Sequence, residues 1–203
     1  MKLGVLGGTF DPVHRGHIVI AEEAMKRLAL DRLLFIPAGQ PWMKDESFIT
    51  LAEHRLAMVR LAIAHKPRLE LSTMEIERKG PTYTIDTLVE LRDKLGEREE
   101  IYLILGWGSL EGFPQWQEPG RIIRLCQLVI VPRPGYSAPD VKALETKIPG
   151  ISRRVILLDG PVIDISATDI RERVASGLSI SHLVPDEVAE YITEHGLYQN
   201  REE

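Results

Sequence analysis

Residues 3–28 read Leu-Gly-Val-Leu-Gly-Gly-Thr-Phe-Asp-Pro-Val-His-Arg-Gly-His-Ile-Val-Ile-Ala-Glu-Glu-Ala-Met-Lys-Arg-Leu. The apolar run Leu3–Leu6 has the length of a buried strand. A turn with two glycines follows. Ile18, Ala21, Met25 and Leu28 then recur at spacings of three and four, which puts them on one stripe of a helix. Strand, glycine turn and helix make up one half of a crossover unit.

The same alternation continues outward. Apolar runs return at Leu33–Ile36, Leu69–Leu71, Ile101–Leu105, Leu128–Val131 and Val155–Leu158. Helical spacing is expected from about Thr50 to His65, where Thr50 and Glu53 have the spacing of a capping box. It is expected again from about Thr84 to Leu95, closed by Gly96. Alternating strands and helices predict an α/β, doubly wound, mostly parallel sheet with helices on both faces. Pro132–Pro139 reads as a turn-rich loop and Pro161 as another turn. Residues 166–203 read as two helices broken near Ser179–His182, packing on the sheet's edge. The expected organisation is a single domain over 1–203, with 166–203 as a C-terminal helical extension.

Bulk properties narrow the function classes. The chain has 203 residues, 44% of them hydrophobic and 27% charged, as in an ordinary globular protein. Cys126 is the single cysteine, which rules out an internal disulfide and a multi-cysteine zinc site. The formal net charge of -5 argues against a general nucleic-acid binder. It leaves room for a small anionic ligand held by local cations and backbone donors. No apolar run approaches the about 18 residues that span a bilayer. The N-terminus lacks the pattern of a signal peptide. No membrane partner and a cytoplasmic location are therefore expected.

Ligands of such sheets bind beyond the carboxyl ends of the strands, so the loops there carry the chemistry. Gly7 and Gly8 are read as giving positive φ and close backbone approach. The helix start after them offers free N–H groups to a phosphate. His14 and His17 share a face, and Gly16 between them would leave room for a flat group such as a purine. The stretch is neither a P-loop nor the G-x-G-x-x-G fingerprint. A metal site built from the two histidines lacks a third ligand nearby. After the sixth strand, Ser166 and Thr168 look like helix caps. Arg171 is expected in the first turn, where a cation opposes the helix dipole unless an anion lies between them. His54, His65, His182 and His195 are read as surface or packed residues.

The patterns G-G-T-F-D-P-V-H-x-G-H at 7–17 and I-S-x-T-x-I-R at 165–171 resemble the nucleotidyltransferase superfamily with the H-x-G-H signature. The fold implied is Rossmann-like. Within that superfamily the chain is similar to the bacterial nicotinate-nucleotide adenylyltransferases. The similarity is carried by Pro-Thr-Tyr-Thr-Ile-Asp-Thr-Leu at 81–88, by Gly112–Trp116, and by the tail from Leu183-Val184-Pro185 to His195-Gly196-Leu197-Tyr198. Two departures stand out. The resemblance calls for an aspartate in Gly-x-Asp after the fourth strand, and Gly108 occupies that place in Gly106-Trp107-Gly108-Ser109. It also calls for a histidine where Met43 stands, in Pro41-Trp42-Met43-Lys44.

The resemblance implies adenylyl transfer from ATP to nicotinic acid mononucleotide, a step of NAD biosynthesis, without a general base. It implies catalytic roles for His14, His17 and Arg171. Gly7, Gly8, Thr9, Phe10, Gly106, Ser166 and Thr168 would contact ATP. Lys44, Thr84, Trp116 and Arg133 would contact the acceptor. Mg²⁺ would arrive with ATP, and no metal held by the chain itself is expected. ATP and a pyridine mononucleotide are the expected partners, and self-association into a homo-oligomer stays open. Two other readings stand beside this one. One is the same chemistry on nicotinamide mononucleotide or phosphopantetheine. The other is a nucleotide-binding sensor without catalysis.

Overall fold

The computed structural model describes residues 1–41, 49–96, 98–132, 134–135, 138–160 and 163–199. Its main sheet has six strands: β1 (Lys2–Gly8), β2 (Arg32–Pro37), β4 (Leu69–Leu71), β6 (Glu100–Gly106), β7 (Gln127–Val131) and β8 (Val155–Leu157). The order across the sheet is β4-β2-β1-β6-β7-β8, and each neighbouring pair is parallel. All six runs picked out by their apolar content are thus the strands of this sheet. The chain first builds outward from β1 to β4, then returns to β1's other side and builds toward β8. That reversal, between β1 and β6, is the switch point at which Rossmann-like sheets bind ligands. Strands β3 (Gln40–Pro41) and β5 (Pro81–Thr82) form a separate parallel pair. Two residues each is too short for a period to show.

Successive strand residues face opposite sides. Leu33, Phe35, Tyr102, Ile104, Val129 and Val131 join one core, while Leu34, Ile36, Ile101, Leu103, Leu105, Leu128 and Ile130 join the other. The first core takes Ile18, Ala21 and Met25 from helix α1 (Arg15–Leu28) and Met58, Val59, Ala62 and Ile63 from α2 (Ala52–Ile63). The second takes Met74 from α3 (Met74–Glu77), Ile85, Leu88 and Leu91 from α4 (Thr84–Leu95), and Leu110 from α5 (Trp107–Gly112). It also takes Ile122 and Ile123 from α6 (Pro119–Leu125) and Leu144 from α7 (Val141–Lys147). Fully burying one such Leu or Ile is worth about 1.5–3 kcal/mol. An exposed ion pair such as Lys66–Glu22 is worth at most about 1 kcal/mol. Burial on both faces, and not surface charge, therefore fixes the layers.

Helix α4 spans the expected residues and ends at Gly96, whose φ of 82° suits glycine. Another expectation needs correcting. The Thr50–Glu53 pair does not cap α2, whose N-cap is Leu51. The Thr50 peptide is engaged elsewhere: its N–H donates to Asp11 Oδ2 at 3.1 Å and its carbonyl accepts from Arg55 Nε at 2.9 Å. The two C-terminal helices are α8 (Ala167–Ala175) and α9 (Asp186–Glu194). Their Ile170, Val188 and Ile192 join the α1–α2 core, and α9 packs against α2. His54 and His195 pack around Tyr191 between α2 and α9. Among the described residues no helix is long and apolar enough to cross a membrane.

Candidate active site

The first loop leaves β1 at the switch point. Gly7 and Gly8 belong to the strand and neither has positive φ; the left-handed residue is Phe10, with φ 51°. A non-glycine residue there costs about 1–2 kcal/mol. The ring offsets this, because Phe10 is only 2% exposed and rests against Phe35 and the edge of His17. Gly8 is small for a packing reason: a Cβ there would lie 3.2 Å from the Phe10 ring. A Cβ on Gly7 would meet nothing within 4 Å, so Gly7 borders open space.

His14 is the N-cap of α1. Its N–H donates to His17 Nδ1 at 3.2 Å, and the two rings stack with centroids 3.7 Å apart. Because Nδ1 of His17 accepts, its proton belongs on Nε2, which makes that nitrogen the donor. Gly16 is among the residues that border the cavity described below. A Cβ there would lie 2.9 Å from His14 Nδ1 and 3.1 Å from the Ile163 methyl, so Gly16 makes room for His14 itself.

The last loop behaves as expected at Ser166, which caps α8 by accepting from the Asp169 N–H at 3.0 Å. Arg171 lies in the second turn of α8 and not the first. It reaches back past Thr168, accepting neighbour at 3.4 Å, and donates to the Asp11 carbonyl at 2.7 Å. The two loops therefore touch. One cavity of about 640 Å³ is lined by Gly7, Gly8, Thr9, Phe10, His14 and His17 from the first, and by Ser166, Thr168 and Arg171 from the last. Gly106 and Ser109, at the end of β6 and the start of α5, complete it. Every residue expected to act on ATP is in this lining.

The acceptor residues are not gathered in the same way. Thr84 and Trp116 are absent from the lining, and Trp116 is half-buried against Phe113, ring centroids 5.3 Å apart. Lys44 and Arg133, like Trp42, Met43 and Pro161, lie outside the described residues.

Beneath the first loop is a polar platform with no local signal in the sequence. Arg55, 2% exposed, donates to the carbonyls of Thr9 (2.9 Å), Ala38 (2.8 Å) and Thr50 (2.9 Å). Burial pulls its pKa down, against the opposing charge of Asp11. Asp11, 5% exposed, accepts from the Thr50 N–H and, at 2.7 Å, from the Tyr198 hydroxyl.

The model of the cytidylyltransferase-like family matches residues 5–173. The chain belongs to that family. Among its relatives, a probable nicotinate-nucleotide adenylyltransferase of Dehalococcoides mccartyi is 51% identical over 201 residues, covering 99% of this chain and 98% of that protein. One from a Roseiflexus species is 49% identical over 197 residues, covering 97% and 98%. These matches show a nucleotidyltransferase. Among solved structures, a Plasmodium falciparum nicotinic acid mononucleotide adenylyltransferase complexed with NaAD superposes with a TM-score of 0.81. It is 18% identical and the match covers 97% of each chain, a likeness of fold.

Proposed function

We propose that this member of the cytidylyltransferase-like family transfers the adenylyl group of ATP to nicotinic acid mononucleotide, giving nicotinic acid adenine dinucleotide and pyrophosphate. The observation that carries the proposal is the single cavity in which the two motif loops meet, joined by Arg171 and Asp11. The names of relatives at about half identity over nearly the whole chain supply the acceptor.

The acceptor's 5′-phosphate oxygen is already anionic at neutral pH. It attacks the α-phosphorus in line, and the bond from that phosphorus to the bridging β-phosphate oxygen breaks as pyrophosphate leaves. No proton has to be removed, so the protein's task is alignment and charge stabilisation. His17, with Nε2–H as donor, and His14 act on the α-phosphate. Arg171, with Ser166 and Thr168 at the start of α8, holds the β- and γ-phosphates. Gly7, open to the cavity, lets the nucleotide approach the backbone. Lys44, Thr84, Trp116 and Arg133 are assigned to the acceptor. Among the described residues no group of three His, Cys, Asp or Glu is placed to hold a metal, and Asp11 is committed to Thr50 and Tyr198. Mg²⁺ would be supplied with ATP and would neutralise phosphate charge there. Residues 1–203 act as one domain, and the enzyme works in the cytoplasm with nucleotides as its partners.

Pyrophosphate release, measured with ATP and a panel of acceptors, tests this. Release with nicotinic acid mononucleotide well above that with nicotinamide mononucleotide or phosphopantetheine is expected. Release with phosphopantetheine alone would overturn the choice of acceptor. ATP binding with no release from any acceptor would overturn catalysis.

A further inference from the structure

The last described turn of the chain reaches the first loop. After α9, Gly196 and Tyr198 take φ of 57° and 62°, and the Leu197 N–H bonds to the Ile192 carbonyl at 3.0 Å. These turns aim the Tyr198 ring inward, past Met58 of α2, and its hydroxyl meets Asp11 Oδ1 at 2.7 Å. Asp11 is held from its other oxygen by the Thr50 N–H, and its own carbonyl is the acceptor of Arg171. One buried residue thus receives the C-terminal tail by its side chain and the phosphate-side arginine by its backbone.

We propose that Tyr198 is a positioning residue for the ATP side of the cleft: its hydroxyl fixes the Asp11 carboxylate, and through Asp11 it fixes the first-loop backbone and the Arg171 guanidinium. The proposal rests on the assignment of this cleft to ATP. Asp11 is nearly inaccessible to water, so no solvent molecule replaces the lost donor cheaply. Burial and the Asp11 charge both push the Tyr198 hydroxyl's pKa up, so it stays protonated and donates across the working pH range. A displacement of Arg171 by a fraction of its bond length is enough to matter, since about 1 Å of misplacement can cost on the order of a hundredfold in rate.

The test is Tyr198→Phe in the full chain, which keeps the ring against Met58 and deletes one oxygen. Its melting temperature should fall by no more than about 12 °C, the scale of one hydrogen bond to a buried charge, and the protein should stay folded at the assay temperature. The value of kcat/KM for ATP should fall about tenfold, while KM for the acceptor is unchanged. An unchanged kcat/KM for ATP would overturn the proposal, as would equal rises in both KM values, the mark of general loosening. Asp11→Asn supplies the second arm. Added to it, Tyr198→Phe should cost little more, because both changes cut one connection. A further full tenfold loss would show that Tyr198 acts elsewhere. Calorimetric titration with ATP reads the same connection without turnover, and affinity should weaken about fivefold in Tyr198→Phe. If the parent protein released no pyrophosphate, the function proposed above would fail, and the calorimetric ratio would still decide the role of Tyr198.

Discussion

The guanidinium of Arg171 donates to the backbone carbonyl of Asp11 at 2.7 Å, although the two residues are 160 positions apart. That bond closes the cleft between the first and last strand-to-helix junctions. It uses one nitrogen of the fork for structure and another for Thr168. A lysine carries its three N–H donors on one nitrogen, so it lacks the spread of the fork that lets the guanidinium serve the carbonyl and a phosphate from separate nitrogens.

Arg171→Lys is therefore expected to lower kcat about tenfold, and Arg171→Ala about a hundredfold or more. Circular dichroism and thermal melting should show the fold intact in both. Parent-like turnover in the lysine variant would mean that bidentate geometry is irrelevant there.

His17→Ala removes a donor whose tautomer is set by the His14 N–H at 3.2 Å. Loss of one preorganised donor to the transition state costs about 3 kcal/mol, so kcat should drop about a hundredfold. Steady-state kinetics on a variant shown to be folded would measure this; turnover close to the parent's would remove His17 from the mechanism.

The sequence announced the two strand-to-helix loops well because each of their parts is local. A strand shows as an apolar run, a helix start as a cap, and the loop between them as glycines and histidines in register. Gly7 through His17 and Ser166 through Arg171 could be read this way without knowing that they meet. The platform under them could not. Arg55 looks like one more surface charge in an amphipathic helix, yet its acceptors Thr9 and Ala38 are 46 and 17 residues away. Thr50 carried a correct capping pattern and lost it to tertiary bonds with Asp11 and Arg55. That the His14 ring folds back against Gly16 was not legible either, because a sequence does not say how that ring turns. Trp116 is expected at the acceptor, and its ring packs on Phe113 with centroids 5.3 Å apart.

Arg55→Met should be the most damaging of the buried changes for stability. It leaves the carbonyls of Thr9, Ala38 and Thr50 without this donor and Asp11 without its neighbouring cation. An unsatisfied buried group costs about 1–3 kcal/mol, and removing one partner of a buried charge pair about 3–5 kcal/mol. At about 2–4 °C per kcal/mol for a chain of this size, melting should fall by roughly 6–20 °C. A shift below that range, measured by calorimetry, would mean that water reaches the platform.

Cys126 is 3% exposed, and burial pushes its thiol pKa up to about 12. A thiol attacks as thiolate, so the native protein should react with iodoacetamide at pH 8 far more slowly than the unfolded chain, by about a hundredfold or more. Mass spectrometry of the time course checks this. Fast labelling of the native protein would contradict the packing of β6 and β7 around Cys126.

The clearest pH effect on stability should come from Glu75 in α3. Burial raises its pKa, and the Thr87 hydroxyl, donating at 2.6 Å, works against that rise without cancelling it. A raised carboxyl pKa means the folded state favours the protonated form. The group's stabilising contribution is complete below its unfolded pKa, near 4.3, and is lost as pH rises through the higher folded value. At neutral pH the fold bears the cost of a buried charge that Arg78 only partly balances. Glu75→Gln keeps an acceptor oxygen for Thr87 and cannot ionise. The melting temperature of the variant minus that of the parent should therefore increase as pH is raised from 4 to 7. A difference that stays flat or falls over that range would place the Glu75 carboxylate in water and not in the packed interior beside Thr87.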